Sequence, residues 1–272
     1  MGMIDLQVAN PSRWSKPISK ILFHDAPMLV TGASTGIGRA TAHLLAARGA
    51  KVFLVARRAS VLAEAVAEIR AEGGTADFHA ADVGDPAALD GAVDAAEAAF
   101  GPLAGLFANA GTGGRFSAIG DYSDEDFDAV LRTNLIAPFR LLRRVLPGMI
   151  ARGRGSILFT GSLASERGMA NNAAYVASKH GVLGLARAAA VEGARHNVRS
   201  NCLIPGFIET PMMEGIGAEV RAGLAGAIPQ KRLGSAAEVA EVAAFLLSDA
   251  ASHVTGQSWS VDGGVLGTID LG

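Results

Sequence analysis

Short apolar runs alternate with amphipathic stretches along most of the chain. The runs at 28–31 and 51–56 are rich in Val and Leu and are bounded by turn residues, which is typical of strands buried in a parallel sheet. The stretch between them, 39–48, has apolar residues at helical spacing. Strand and helix alternate in this way seven times. The pattern therefore predicts an α/β fold with a doubly wound, seven-stranded parallel sheet and helices on both faces.

The element boundaries follow from where each pattern stops. The predicted strands span 28–31, 51–56, 76–81, 103–108, 155–161, 198–204 and 258–261. The predicted helices span about 39–48, 60–72, 86–100, 124–150 and 236–247, and one more contains Tyr175 and ends near His196. Pro138 lies inside the longest helix and predicts a kink, because proline cannot donate a hydrogen bond to the carbonyl four residues earlier.

The composition excludes several classes of protein. Of the 272 residues, 50% are hydrophobic and 18% are charged, which is sufficient for a large core. The net charge of −2 argues against a nucleic-acid surface. The single cysteine, Cys202, excludes a disulfide framework, and the scattered histidines show no metal-ligand spacing. No apolar run is long enough to span a membrane. Together, these observations predict a cytoplasmic protein without a metal, membrane or nucleic-acid partner.

A glycine-rich turn joins the first strand to the first helix. Thr31–Gly38 reads T-G-A-S-T-G-I-G, with glycines at 32, 36 and 38. Glycine lets backbone N–H groups approach a phosphate, and the following helix N-terminus favours its negative charge. The position of this turn, after a strand and before a helix, favours a dinucleotide phosphate site over a tight turn without a ligand.

The end of the second strand indicates which dinucleotide is bound. An acidic residue near this strand end commonly accepts the ribose 2′-hydroxyl of NAD(H), whereas an arginine accommodates the 2′-phosphate of NADP(H). Here Ala56 occupies the expected position and Arg57 follows it. The sequence therefore favours NADP(H), with NAD(H) as the alternative.

Candidate ligand-binding residues follow several other predicted strands. Asp82, Asn109, Ser162 and Pro205 each come directly after or at the end of one of these strands. The carboxyl ends of parallel strands lie at one edge of a sheet, which is where such sheets bind ligands. These residues, together with the glycine turn and Arg57, are therefore expected to surround one cleft.

A tyrosine and a lysine supply candidate chemistry. Tyr175 and Lys179 are four residues apart, so they share one face of a predicted helix. An ammonium group that close stabilises a phenolate, which suits the tyrosine to exchange a proton with an alcohol or ketone. Ser162, at a strand end, is placed to hold the substrate oxygen. The chemistry indicated is proton transfer coupled to another two-electron step.

Together these motifs resemble those of the short-chain dehydrogenase/reductase family, in its compact single-domain subgroup. The matching features are the turn at 31–38, Ser162, and the Y-x-x-x-K pair of Tyr175 and Lys179, and the resemblance covers about 27–264. It implies a Rossmann-like fold. It also implies that the second step is hydride transfer with a nicotinamide, which interconverts a carbonyl and a secondary alcohol.

The resemblance also implies roles for individual residues. Tyr175 would be the general acid or base, Lys179 would hold the nicotinamide ribose, and Ser162 would polarise the substrate oxygen. Asn134 occupies the place of a catalytic-site asparagine and would support a water path to Lys179. The implied cofactor-binding residues are Gly32, Ser34, Gly36, Ile37, Gly38, Arg57, Asp82, Val83, Asn109, Tyr175, Lys179, Pro205, Gly206, Ile208 and Thr210.

The chain divides into an arm and a domain. Residues 1–26 are polar and contain several prolines, which predicts a flexible N-terminal arm, although apolar residues such as Phe23 offer packing to the domain. No break in composition divides the rest, so 27–272 is predicted to be a single dinucleotide-binding catalytic domain. Glycines and methionines at 207–233 predict a substrate lid, and apolar residues there favour an apolar substrate.

Other functions remain open at this point. A non-catalytic nucleotide-binding subunit would have the same fold, and a serine–lysine hydrolase would use two of the same residue types. The family resemblance also implies a homo-oligomer, a tetramer or dimer, formed through the long helix. Within the family, a 3-oxoacyl-carrier-protein reductase and a polyol or sugar dehydrogenase are both candidates.

Overall fold

The structure, a computed structural model, describes residues 22–268. Its strands are β1 (Pro27–Thr31), β2 (Lys51–Ala56), β3 (Thr75–Ala80), β4 (Gly105–Ala108), β5 (Gly155–Thr160), β6 (Val198–Pro205), β7 (Ile208–Glu209), β8 (Gly234–Ser235) and β9 (Ser258–Val261). Its α-helices are α1 (Gly36–Ala47), α2 (Ala59–Ala71), α3 (Pro86–Phe100), α4 (Asp124–Leu131), α5 (Ala137–Arg152), α6 (Ala173–Ala194), α7 (Ala218–Ala227) and α8 (Ala236–Leu247).

Seven of the strands form one parallel sheet. Their order is β3–β2–β1–β4–β5–β6–β9, and every neighbouring pair is parallel. This confirms the predicted doubly wound sheet. The order reverses between β1 and β4, which is the position where such sheets form a ligand crevice.

The sheet separates two hydrophobic cores. Alternate residues of a strand point to opposite faces, so Leu106 and Phe159 enter the core beneath α3, α5 and α6, whereas Phe107 and Leu158 enter the core beneath α1, α2 and α8. All four side chains are at most 1% exposed. Each contributes roughly 2 kcal/mol by leaving water, which explains why the strands read as nearly continuous apolar runs.

Cys202 lies in the first of these cores. It is fully buried in β6, and burial raises the pKa of its thiol to about 12. The predicted role as a core residue is therefore confirmed, because a thiol that does not ionise near neutral pH is a poor nucleophile or metal ligand.

The long predicted helix is interrupted before Pro138. The chain is helical from Asp124 to Arg152, but Arg132–Ile136 forms a π-helical turn between α4 and α5. Pro138 has no N–H to donate to the carbonyl of Asn134, and the wider turn immediately before it accommodates the missing bond. The predicted irregularity thus lies one turn earlier than Pro138 itself.

The segment predicted as a lid contains several short elements. It begins with β7, which pairs with β8 in a separate two-stranded ribbon that the sequence did not predict. A 3₁₀ turn at Pro211–Met213 and α7 follow β7. No residue of α7 is buried, so this helix is held by few core contacts.

The last residues of the predicted arm are attached to the domain. Phe23 is 6% exposed in the core, and its N–H donates to the Arg48 carbonyl at 2.9 Å. The N–H of Asp25 donates to the Gly49 carbonyl at 2.8 Å. The prediction of a flexible arm otherwise falls on 1–21, outside the described residues. Within residues 22–268, no helix is both long and apolar enough to cross a membrane.

Arg199 joins three elements at the amino edge of the sheet. Its guanidinium donates to the carbonyls of Leu246 at 2.7 Å and Ser248 at 2.9 Å, and to the Ser156 hydroxyl at 3.1 Å. Burial lowers the pKa of Arg199, yet the carbonyls at the end of α8 are the groups that a cation stabilises best. Arg199 therefore fixes α8 to β5 and β6.

We expect Arg199→Met to lower the melting temperature by roughly 5–10 °C, because several buried acceptors lose their donor. The matched control is Arg195→Met, since Arg195 is exposed just beyond α6 and its side chain forms no hydrogen bond or ion pair with any described residue. Thermal denaturation followed by circular dichroism measures both variants. Equal melting temperatures would contradict the role assigned to Arg199.

Candidate active site

The residues predicted for the site lie at the carboxyl edge of the sheet. Gly32 and Ser34 follow β1, and Gly36, Ile37 and Gly38 form the first turn of α1. Arg57 follows β2, Asp82 and Val83 follow β3, Asn109 follows β4, Ser162 follows β5, Pro205 ends β6, and Gly206, Ile208 and Thr210 come next. Tyr175 and Lys179 lie in the first two turns of α6, which begins at the same edge. The topology therefore brings the predicted residues to one side of the molecule.

The glycine turn is tightly packed at the switch between β1 and β4. Gly32 and Gly36 have positive φ angles of 65° and 56°, which side chains rarely adopt. A Cβ atom on Gly38 would overlap the Gly32 carbonyl and lie 2.6 Å from Asn109 Nδ2. Thr35 precedes α1 without capping it through its side chain. Free N–H groups at a helix N-terminus next to compact glycines suit a phosphate.

Asn109 connects three strand ends. Its Nδ2 donates to the Thr31 carbonyl at 3.1 Å, and its Oδ1 accepts from the Thr160 hydroxyl at 3.0 Å. The Thr31 hydroxyl oxygen in turn accepts from the N–H groups of Asn109 at 3.0 Å and Ala110 at 3.1 Å. The amide side chain of Asn109 is thus engaged by β1 and β5. Sequence reasoning did not identify the hydrogen-bonding roles of Thr31 and Thr160, because the sequence at the end of one strand does not show which residue of another strand it contacts.

Lys179 is a buried cation next to Tyr175. Lys179 is only 5% exposed, and its Nζ donates to the Thr160 carbonyl at 2.7 Å. Nζ lies 5.5 Å from the centre of the Tyr175 ring. No carboxylate within residues 22–268 forms an ion pair with this ammonium, whose hydrogen bond to Thr160 satisfies part of its donor capacity. Tyr175 is half-buried.

Ser162 is held by a capping box. Its Oγ accepts from the Ala164 N–H at 3.2 Å, and its own N–H donates to Ser165 Oγ at 3.1 Å. These two bonds close the 3₁₀ turn Leu163–Ser165 that follows β5. The Ser162 hydroxyl hydrogen has no acceptor in the described part of the chain and can be donated to a substrate. The S-x-x-S spacing was a signal that could have identified Ser165.

Asn134 is buried in the π-helical turn. It is 1% exposed, its Oδ1 accepts from the Thr112 N–H at 2.8 Å, and its Nδ2 donates to the Thr112 carbonyl at 2.9 Å. Nδ2 also lies 3.2 Å from Ser178 Oγ, one residue before Lys179. π-Helical turns often occur at functional sites because they redirect a side chain. Asn134 therefore joins the loop after β4 to the helix that carries Tyr175.

The turns after β2 and β3, where the adenosine half of a dinucleotide is expected, carry exposed charged side chains. Arg57 is exposed, and no described residue forms an ion pair or hydrogen bond with it. Arg39, by contrast, donates to Glu68 at 2.6 Å and is already paired. Asp82 is also exposed, and its Oδ1 accepts from the Gly84 N–H at 2.8 Å in the turn after β3.

The turn after β6 approaches the glycine turn. A Cβ atom on Gly36 would lie 3.2 Å from Thr210 Cγ2, so the two turns are in contact. Gly206 donates to the Val261 carbonyl at 3.0 Å, and a Cβ atom there would lie 2.7 Å from the Asp262 Cα. The cleft is therefore bounded on one side by the glycine turn and on the other by the start of the predicted lid.

Comparisons with known proteins agree with this geometry. A family model described as enoyl-(acyl carrier protein) reductase matches residues 32–266. The cyclohexanol dehydrogenase of Acinetobacter sp. (strain SE19) is 40% identical over 241 residues, which cover 89% of this chain and 95% of that protein. The chain belongs to the short-chain dehydrogenase/reductase family.

Two further relatives extend the comparison. The 3-oxoacyl-(acyl-carrier-protein) reductase FabG of Escherichia coli (strain K12) is 38% identical over 237 residues, which cover 87% of this chain and 96% of that protein. A solved structure of actinorhodin polyketide ketoreductase with NADPH has a TM-score of 0.85 at 34% identity, covering 91% of this chain and 100% of that one. This member of the short-chain dehydrogenase/reductase family is thus an oxidoreductase of the carbonyl–alcohol type that uses a nucleotide cofactor.

Metal chemistry finds no support in the described side chains. Among residues 22–268, no group of three or more His, Cys, Asp or Glu side chains could hold a metal ion. The end of β5 and the start of α6 bring the Ser162 hydroxyl, the Tyr175 phenol and the Lys179 ammonium to the carboxyl edge of the sheet.

We expect Gly38→Ala to weaken nucleotide binding by more than about tenfold, because the added methyl group displaces the Gly32 carbonyl and the Asn109 side chain. Fluorescence titration with NADPH and with NADH measures the effect. Gly91→Ala is the matched control, because Gly91 lies inside α3 with nothing within 4 Å of its added Cβ. This control should bind normally and gain about 0.5–1 kcal/mol of stability. Normal binding by Gly38→Ala would contradict the phosphate site.

Proposed function

We propose that the protein is an NADP(H)-dependent oxidoreductase that interconverts a carbonyl and a secondary alcohol by hydride transfer, with Tyr175 as the general acid and base. The observation that carries the proposal is the buried Lys179 ammonium 5.5 Å from the Tyr175 ring centre at the carboxyl edge of the sheet. A buried cation without a carboxylate partner stabilises the phenolate that proton transfer requires.

The residues present fit a nicotinamide dinucleotide. A side chain would not fit at Gly32 or Gly38 in this compact turn, which lets the backbone approach a pyrophosphate, and the first N–H groups of α1 have no side-chain cap. When bound, the nicotinamide supplies or accepts the hydride. We assign the remaining cofactor contacts to the turns after β2, β3, β4 and β6, which lie along the same edge.

The proton follows a short route in this proposal. In carbonyl reduction, the Tyr175 hydroxyl gives its proton to the carbonyl oxygen as hydride arrives at carbon, and the resulting phenolate is stabilised by Lys179. Ser162 donates its free hydroxyl hydrogen to the same oxygen and stabilises the developing negative charge. Alcohol oxidation reverses these steps, with the phenolate accepting the proton. Asn134 orders the cleft wall beside Lys179 and supports its reprotonation.

The preference for NADP(H) is assigned to Arg57. This exposed guanidinium follows β2 without a partner among the described residues, and it can donate several hydrogen bonds to a 2′-phosphate. Ser34, in the glycine turn, is the second candidate contact. The solved relative with NADPH supports this choice.

The substrate is proposed to be an apolar carbonyl compound or its alcohol. Large exposed hydrophobic side chains occur in the three stretches to which we assign substrate contacts, 112–116, 163–172 and 207–233: Phe116 is 68% exposed, Met169 39% and Met212 63%. The names of the relatives include a cyclic alcohol and a 3-oxoacyl chain, both of which combine a carbonyl or hydroxyl with apolar carbon. A panel of cyclic ketones, 3-oxoacyl thioesters and a 2-enoyl thioester, at fixed NADPH, would identify the class.

A homo-oligomer, a tetramer or dimer, and a cytoplasmic location are part of the same proposal. Ile136, in the π-helical turn, and Phe139, in the first turn of α5, are 40% and 44% exposed, which leaves apolar area for a second copy. Light scattering after gel filtration measures the number of copies. A non-catalytic nucleotide-binding subunit, which the sequence left open, would bind NADPH yet turn over no member of the carbonyl panel. The relatives named above are a dehydrogenase and reductases, which favours the enzyme.

We expect Tyr175→Phe to lower kcat by at least about a hundredfold while leaving the NADPH dissociation constant within about twofold, because only the proton donor is removed. Steady-state absorbance at the NADPH band and fluorescence titration measure the two quantities. The chain has one other tyrosine, Tyr122, whose buried hydroxyl forms no hydrogen bond with any residue between 22 and 268, so Tyr122→Phe is the matched control. Full activity in Tyr175→Phe would remove the proposed acid and base.

We expect Arg57→Ala to weaken NADPH binding by roughly ten- to a hundredfold and NADH binding by less than about twofold, because a charged hydrogen bond to the 2′-phosphate is lost. Titration of each nucleotide measures the ratio. Arg58→Ala provides the control, since Arg58 is the exposed neighbour that precedes α2. Equal losses for the two nucleotides would refute the assignment of NADP(H) to Arg57.

A further inference from the structure

Asn172 makes two contacts that none of the roles above includes. It is 1% exposed and immediately precedes α6. Its Oδ1 accepts from the Tyr175 N–H at 3.4 Å, which caps the first turn of α6. Its Nδ2 donates to the Gly113 carbonyl at 2.8 Å. One buried side chain thus joins the backbone of Tyr175 to the loop after β4.

That loop, residues 112–117, is attached to the region around Tyr175 at three points. Asn134 holds Thr112 through both of its backbone groups. Asn172 holds Gly113, and the Ser117 N–H donates to the Asn171 carbonyl at 2.8 Å. We call residues 112–117 the substrate-side loop, because it follows β4 at the carboxyl edge of the sheet and includes 112–116, one of the stretches to which substrate contacts are assigned above. Its position therefore depends on the start of α6 and on the π-helical turn.

We propose that Asn172 is a positioning residue that sets the distance between the substrate-side loop and the Tyr175 hydroxyl. The inference rests on the proposed function, since it takes Tyr175 as the proton donor. A carbonyl substrate lies against this loop while its oxygen meets Tyr175 and Ser162. A shift of about 1 Å between the substrate-side loop and the Tyr175 hydroxyl is enough to lower the rate of proton transfer severely.

An asparagine is chemically suited to this position. The Tyr175 N–H needs an acceptor and the Gly113 carbonyl needs a donor, and a neutral amide offers one of each at its two ends. Aspartate keeps the acceptor and suits a helix N-terminus, but it cannot donate to Gly113. Serine also caps a helix, but its single hydroxyl is too short to serve both partners. These two replacements therefore remove the loop contact and retain the helix cap.

The neighbouring asparagine provides a matched control. Asn171 is exposed, has a positive φ of 60°, and contributes its backbone carbonyl rather than its side chain to the substrate-side loop. Asn171→Asp makes the same chemical change one residue away from Asn172→Asp. It leaves the bond to Ser117 in place, and aspartate tolerates the left-handed backbone.

The experiment compares wild type, Asn172→Asp, Asn172→Ser and Asn171→Asp. It measures kcat and KM for one compact and one bulky ketone, the NADPH dissociation constant and the melting temperature. We expect both Asn172 variants to lose about tenfold or more in kcat and to change the ratio of kcat/KM between the two ketones. NADPH binding should stay near wild type, whereas the melting temperature should fall by a few degrees because the Gly113 carbonyl loses its buried donor. Asn171→Asp should match wild type throughout.

Two results would overturn the inference. Kinetics of the Asn172 variants that equal those of Asn171→Asp would show that the Gly113 contact positions nothing. A parallel loss of NADPH affinity, melting temperature and kcat in both Asn172 variants would show that Asn172 only holds the fold. Failure of the proposed function is separate from either result, because it would appear as wild type that turns over no ketone.

Discussion

The hydrogen bond from the Lys179 ammonium to the Thr160 carbonyl is the contact on which the rest of the cleft depends. At 2.7 Å it places a cation inside the protein at the last residue of β5. Ser162 lies just after the end of this strand, and Tyr175 lies on the same helix as Lys179. A single charged hydrogen bond therefore fixes the helix that supplies the phenol against the strand that supplies the hydroxyl. It also places the positive charge beside the phenol ring, where no carboxylate from the described part of the chain pairs with it.

The parallel sheet allows this arrangement to meet a cofactor. Because all seven strands point the same way, every turn that follows a strand reaches one edge. Asn109 then aligns three of the strand ends through Thr31 and Thr160, the residue whose carbonyl also receives Lys179. The candidate phosphate turn and the reactive residues are thus parts of one hydrogen-bonded frame, so a disturbance of the turn is transmitted to Lys179.

Three asparagines have related roles around the cleft. Asn109 joins strand ends, Asn134 joins the loop after β4 to the long helix, and Asn172 joins the same loop to α6. In each case the amide both accepts and donates, which a carboxylate or a hydroxyl does less well in a buried setting. Their burial makes each contact costly to lose, so the cleft wall has a single well-defined position.

The sequence by itself determined the seven strands, the glycine positions and the pairing of Tyr175 with Lys179, because each depends on spacing along one element or on one turn. Only the tertiary structure decided the partners of Asn172 and Arg199, the π-helical turn at Asn134, and the small ribbon of β7 and β8. These features join residues far apart in the chain; Asn172 and Gly113, for example, are 59 positions apart. Such contacts depend on how whole elements pack, and no local pattern of apolar and polar residues records them.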